Sequence, residues 1–174
     1  MYYFRKLSST SNHEKIKCAA DIALLEADIL KQELGTQGNT LSFWKCEKLD
    51  DSMNTKKAIL LSTTGIKTTM FYILTDELVE KYGLEMDDKE EGKTAYKGFE
   101  KLHINMKNLT YSKIGLVLQM LHEAFQIPEL TCKMDKETVK ACIEETIKAN
   151  LMNVDALNDG LRRDIERSIC MLED

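Results

Sequence analysis

Apolar residues along the chain fall into runs whose spacing changes from segment to segment, and that spacing predicts the elements. Ile16, Ala20, Ala23, Ala27, Leu30 and Leu34 recur at alternating steps of four and three, and Ile22, Leu25 and Ile29 widen the stripe. Such a pattern predicts a long amphipathic helix from about Asn12 to Leu34. Ser11 and Glu14 stand at capping-box spacing before it, and Gly35 is placed to close it.

The stretch Ala58–Leu74 holds two apolar, β-branched and aromatic runs on either side of Thr64-Gly65. It predicts a buried hairpin at the centre of a sheet. Leu41–Leu49 and the alternating Phe99–Met106 add two further strands. Met1–Leu7, aromatic and basic, reads as an edge strand or a loose arm. Thr75 or Asp76 caps a short helix over Glu77–Tyr82, which Gly83 stops. Leu84–Lys93 follows as an acidic, mobile loop.

Thr110–Gln126 is apolar almost all round, which predicts a helix buried on most sides. Asp135 caps a helix to about Ala149, with Val139, Cys142, Ile143 and Ile147 inward. The last helix opens at Asn153 or Asp155 and carries Leu157, Leu161, Ile165, Ile169 and Leu172. Asp159 with Arg163, and Arg162 with Glu166, place opposite charges one turn apart on its outer face. Gly160 weakens its first turns.

The fold expected is α+β, in one domain spanning 1–174. It comprises a long amino-terminal helix, an antiparallel sheet of about four strands (a three-stranded meander plus one), a buried central helix and a carboxyl-terminal helical pair. The pair, about 135–172, has narrower stripes that suit packing on this core or against a second copy in a homodimer.

Composition narrows the setting. Apolar residues make up 43% and charged residues 30% of 174 residues, which suits a folded globular protein. Five cysteines at long spacings, with no C-x-x-C pair, argue for reduced thiols and against a zinc site. No apolar run approaches the roughly 20 residues of a membrane span, and the first residues lack a signal-peptide core. A cytoplasmic protein without a membrane partner, metal or cofactor is the expectation.

Net charge is −5, unevenly distributed. Residues 75–91 carry eight acidic and two basic groups, whereas residues 92–113 carry five basic and one acidic. Asp76, Glu77, Glu80, Glu85, Asp87, Asp88, Glu90 and Glu91 therefore form a candidate surface for a basic protein partner. Lys93, Tyr96, Lys97, Lys101, His103 and Lys107 interleave cations with rings, as single-stranded nucleic acid binding requires. The dull reading of each is a solvated loop and a strand face with lysines at its rim.

Catalytic motifs do not survive inspection. Gly35–Thr40 follows a helix, whereas a phosphate loop precedes one. Ser62–Thr69 echoes the end of a phosphate loop, but Ile66 separates Gly65 from Lys67 and a strand follows. His122-Glu123 lacks the second histidine of a zinc protease, since Gln126 holds its place. His122 nonetheless lies on the narrow polar stripe of the apolar helix, a candidate site for a small molecule. The leading expectation is a non-enzymatic protein-binding module, a small acidic inhibitor or adaptor for a basic surface of a nucleic-acid-handling protein. The alternative is a small-molecule or single-stranded nucleic acid site around His122 and the basic 93–113 segment.

Overall fold

A computed structural model describes residues 1–168. In chain order they form β1 (Tyr2–Lys6), α1 (Thr10–Lys17), α2 (Ala27–Glu33), β2 (Leu41–Cys46) and α3 (Met53–Leu60). Next come β3 (Thr69–Thr75), α4 (Asp76–Lys81), β4 (Glu85–Asp87), β5 (His103–Lys107) and α5 (Tyr111–Ala124). The described chain closes with β6 (Thr131–Met134), α6 (Lys136–Lys148) and α7 (Asp159–Ser168). The class is α+β as expected, but the sheet has six antiparallel strands among the described residues, in the order β4-β5-β2-β1-β3-β6.

The first strand is therefore central, not an edge or an arm. Tyr3 and Phe4 are buried, and β1 pairs with β2 on one side and β3 on the other. Its basic end gave it an edge-like composition. Pairing with β2 stops at Phe4–Trp44, beyond which the Arg5 guanidinium donates to the Ser42 and Glu33 carbonyls at 2.8 and 3.4 Å.

Strand periodicity sorts the two faces of the sheet. Phe4 lies opposite Trp44 and Ile73 and is covered by α3, whose Lys56 amine sits 5.9 Å above the Phe4 ring. Helix α6 packs on α3. Tyr72, on the opposite face, meets Phe43 and Phe125 edge-on, each at 5.9 Å, so α5 covers that side with α1 against it. Helices thus sandwich the sheet.

Several expectations are corrected. The hairpin is absent: Ala58–Leu60 ends α3, with Thr55, Ala58 and Ile59 buried at helical spacing. A four-residue apolar run cannot by itself distinguish helix from strand. The meander goes with it, because β3 pairs with β1 and β6 and not with β2. The long first helix is two helices parted by a 3-10 turn at Ile22–Leu24. Asp21 causes the break by accepting the Ala23 amide at 2.9 Å, a local bond that competes with helix continuation. The cap of α1 is Ser9, which accepts the Asn12 amide, and not Ser11.

Part of the acidic loop is strand β4, and Glu100–Leu102 is a 3-10 turn ahead of β5. β6 was too short to leave an alternation. The caps at Thr75 and Asp135 are as expected, each accepting an amide three residues on. Val139, Cys142 and Ile143 face inward in α6, but Ile147 is 37% exposed. In α7, Arg163 donates to the Asp159 carbonyl and Arg162 to the Val154 carbonyl, in place of the expected ion pairs. Ile169 and Leu172 lie outside the described residues. No helix among those described is long and apolar enough to cross a membrane.

Candidate protein-binding surface

The eight carboxylates of the acidic stretch do not form one face. Asp76 opens α4 and accepts the Met1 ammonium at 2.8 Å and the Tyr3 hydroxyl at 2.5 Å. Those two bonds hold its carboxyl below the usual carboxylate range, while burial and Asp76 push the Tyr3 phenol up. Glu77 sits in the first turn of α4, where its own amide and the Thr75 hydroxyl lower its carboxyl. Glu85 and Asp87 lie in β4 beside β5 and face Lys107 at 3.9 and 3.7 Å, with Lys113 3.5 Å from Glu85. Asp88 pairs with Lys45 at 2.8 Å, which lowers its carboxyl, and Glu90 accepts from Asn105 at 3.1 Å. Glu80 and Glu91 are exposed and have no ion pair among the described residues.

The basic segment is the partner of the acidic one across the sheet edge. Register explains this: Glu85 stands opposite Lys107 and Asp87 opposite Asn105. The alternation of charge along the sequence is thereby folded into local pairing, and each exposed pair is worth about 0–1 kcal/mol. Tyr96 is 3% exposed, stacks on Phe99 with ring centres 4.1 Å apart, and donates its hydroxyl to Asn54. Its ring is packed inside and is not offered to a base. Lys97 reaches the Asn150 carbonyl at 3.3 Å, while Lys93 and Lys101 stay exposed. His103 bonds the Glu90 carbonyl through Nδ1 and meets Trp44 edge-on.

His122 is on the other side of the sheet from His103. Its Nδ1 lies 2.7 Å from the Ile16 carbonyl, so Nδ1 carries the hydrogen that closes the end of α1. His122 lines a groove of about 670 Å³ between the Ile22–Leu24 turn and α5. Ile22, Leu25, Leu30, Ile114 and Leu118 make its apolar lining, and Asp21, Ser112 and Gln119 add polar groups. The groove exists because the first helix breaks: the residues of its predicted stripe form one wall. Tyr111, on the groove's lining, is 99% exposed, and Leu24, on the adjoining turn and lining a neighbouring hollow, is 81% exposed.

The α5 wall is bonded on its far side. Lys81 and Tyr82 both bond Glu123 of α5, at 2.6 and 2.8 Å, tying α4 alongside. Burial and then Glu123 raise the Tyr82 phenol to about 12. Tyr111 stood out in the sequence only as a ring of the basic segment, and Leu24 not at all, because exposure of an apolar residue leaves no mark in a periodicity. The full helical apolarity of 110–126 was the available signal, since it exceeds what the sheet alone can cover: Leu116 stays 36% exposed.

Cys46 and Cys142 are buried, Cys132 is half-buried and Cys18 is exposed, all as free thiols, and burial pushes Cys132 and Cys142 up. No group of three or more metal-ligating side chains is present among the described residues. Comparison with protein-family models, with curated proteins and with solved structures finds no match to the chain.

Proposed function

We propose that the protein is a non-enzymatic, cytoplasmic binding module, a small acidic adaptor or inhibitor that captures a protein partner with a basic surface. The observation that carries this reading is the exposure of Tyr111 and Leu24, 99% and 81%, beside an apolar-lined groove of about 670 Å³. Aromatic and aliphatic side chains placed beside a pocket are the anchors from which interface hot spots are made. Glu77 and Glu80 project from α4, which packs beside α5, and supply the negative charge that steers a basic partner. A nucleic-acid-handling protein is a partner class that presents such a surface.

A second reading keeps the groove and changes the occupant to a small molecule. Its support is that His122, with its ring held through Nδ1 by the Ile16 carbonyl, faces the groove beside Gln119 and Ser112. Nucleic acid binding along 93–113 has less support, given the inward Tyr96 and the paired Lys107 and Lys113. Exposed Ile147 in α6, with Leu151 and Val154 just beyond it, supports self-association through the carboxyl-terminal helices, which light scattering tests.

Affinity capture from the source cell, run in parallel on three chains, tests the leading reading. The unaltered chain retains a partner that Tyr111→Ala/Leu24→Ala loses, and Glu77→Lys/Glu80→Lys retains it with a slower on-rate. Equal recovery of the same protein on all three chains overturns the reading.

A further inference from the structure

A separate hollow of about 280 Å³ opens where β1 runs into α1, on neither the groove nor the acidic edge. Lys6, Lys67 and Lys133 line it, together with Ser9, Thr10 and Thr68. Lys6 ends β1, Lys67 and Thr68 lead into β3, and Lys133 lies in β6 opposite Met70. The strand order β1-β3-β6 is what gathers three cations from distant parts of the sequence.

None of the three lysines lies within ion-pair distance of a carboxylate among the described residues. This contrasts with Lys45, Lys57, Lys81, Lys107 and Lys113, which all have acidic partners. Lys6 is half-buried, and burial first and the Lys67 charge second push its ammonium below the usual lysine range, against an opposing pull from Glu33. Like charges gathered around a hollow repel one another, and an anion between them reverses the sign of that interaction.

The hydrogen-bond inventory points the same way. Ser8 is committed, with its hydroxyl donating to the Gln32 carbonyl and its amide to Glu33. Ser9 accepts the Asn12 amide, which leaves its own hydroxyl hydrogen free to donate. The first amides of α1 have no partner within the helix. Glu33, the nearby carboxylate, is turned to the Ser8 amide at 3.1 Å and the Asn12 side chain at 2.8 Å, and forms no ion pair with the lysines.

We infer that this hollow binds a phosphate dianion, free or carried as a small phosphomonoester, held by Lys6, Lys67 and Lys133 and by the hydroxyls of Ser9, Thr10 and Thr68. Three ammonium groups match the charge of a dianion with one to spare, and hydroxyl donors complete the oxygen shell. Lys67 and Thr68 serve here as the entry to a strand and not as a phosphate loop.

Titration of the full chain with inorganic phosphate, at ionic strength held constant with chloride, tests the site by amide NMR and thermal unfolding. Expected are saturable shifts at the Ser9, Thr10, Lys67 and Thr68 amides, with a rise in Tm that saturates in step. Lys67→Gln/Lys133→Gln, at exposed positions that leave the fold intact, weakens the response at least tenfold. A parallel titration with glycerol 3-phosphate separates the sources: tighter binding assigns the ester, and equal or weaker binding assigns the free ion. Shifts that never saturate, or that the double variant leaves unchanged, overturn the assignment.

Discussion

The carboxylate of Asp76 and the hydroxyl of Tyr3 lie 2.5 Å apart, joining the start of α4 to the central strand. The same carboxylate takes the Met1 ammonium, so one side chain secures the entry of the chain into the middle of the sheet. Its carboxyl is held down first by the ammonium and then by Tyr3. A depressed folded-state pKa contributes stability above the unfolded value, and that contribution fades as pH falls through the folded one. Asp76→Ala therefore lowers stability at pH 7 by about 1 kcal/mol, a figure reduced for the 43% exposure of the side chain. Urea midpoints for the two chains converge as pH falls below about 4. A gap that persists in acid sinks the assignment.

Tyr72 makes the opposite case. It is wholly buried between Phe43 and Phe125, and its hydroxyl has no partner among the described residues. A buried hydroxyl without a hydrogen bond costs roughly 1–3 kcal/mol. Tyr72→Phe removes the hydroxyl and keeps the ring, so it raises stability by about 1 kcal/mol, readable as a higher urea midpoint at unchanged slope. A lower midpoint would reveal a partner for the hydroxyl.

The residues that misled the sequence reading did so for physical reasons. Ala58–Leu61 and Phe71–Leu74 look alike in composition, yet the first ends a helix and the second is a strand buried on both faces. Only the Lys56-Lys57 pair before Ala58, spaced to leave Thr55 and Ala58 inward, separates them. Asp21 and Ser9 cap the 3-10 turn and α1, but the Ser11–Glu14 spacing and the regular stripe from Ile16 to Leu34 pointed to one helix capped at Ser11. Strand β4 was hidden because Glu and Asp are poor strand formers, and only pairing with Lys107 makes that sequence extend. Charge was counted correctly along the chain, but register decides which charges cancel. The groove and the lysine hollow depend on segments far apart in sequence, and no local pattern carries that information.

Lys107 shows how register decides. It stands between Glu85 and Asp87 at 3.9 and 3.7 Å, so Lys107→Glu places three carboxylates together at the β4–β5 edge. The reversal lowers stability by about 1 kcal/mol at low salt, and added salt shrinks the loss because these charges are partly exposed. Chemical denaturation by urea, with and without about 0.5 M sodium chloride, measures it. A loss indifferent to salt points to packing and away from charge.

Gly160 reverses a propensity argument. In an exposed helix, alanine in place of glycine stabilises by roughly 1 kcal/mol. Gly160, however, lies in the first turn of α7 where the helix meets the Thr63–Ile66 turn: Asp164 accepts the Ile66 amide at 2.9 Å, and a Cβ on Gly160 would collide with the Thr64 carbonyl oxygen. The obstacle is backbone, which cannot swing aside as a side chain end would. Relief requires α7 to move off the core and loosen Leu161, which is fully buried. Gly160→Ala is thus expected to destabilise by about 2 kcal/mol, in the range of overpacking a close contact. Thermal unfolding decides the sign directly: a raised Tm would place α7 away from Thr64, and a lowered one fits the close approach.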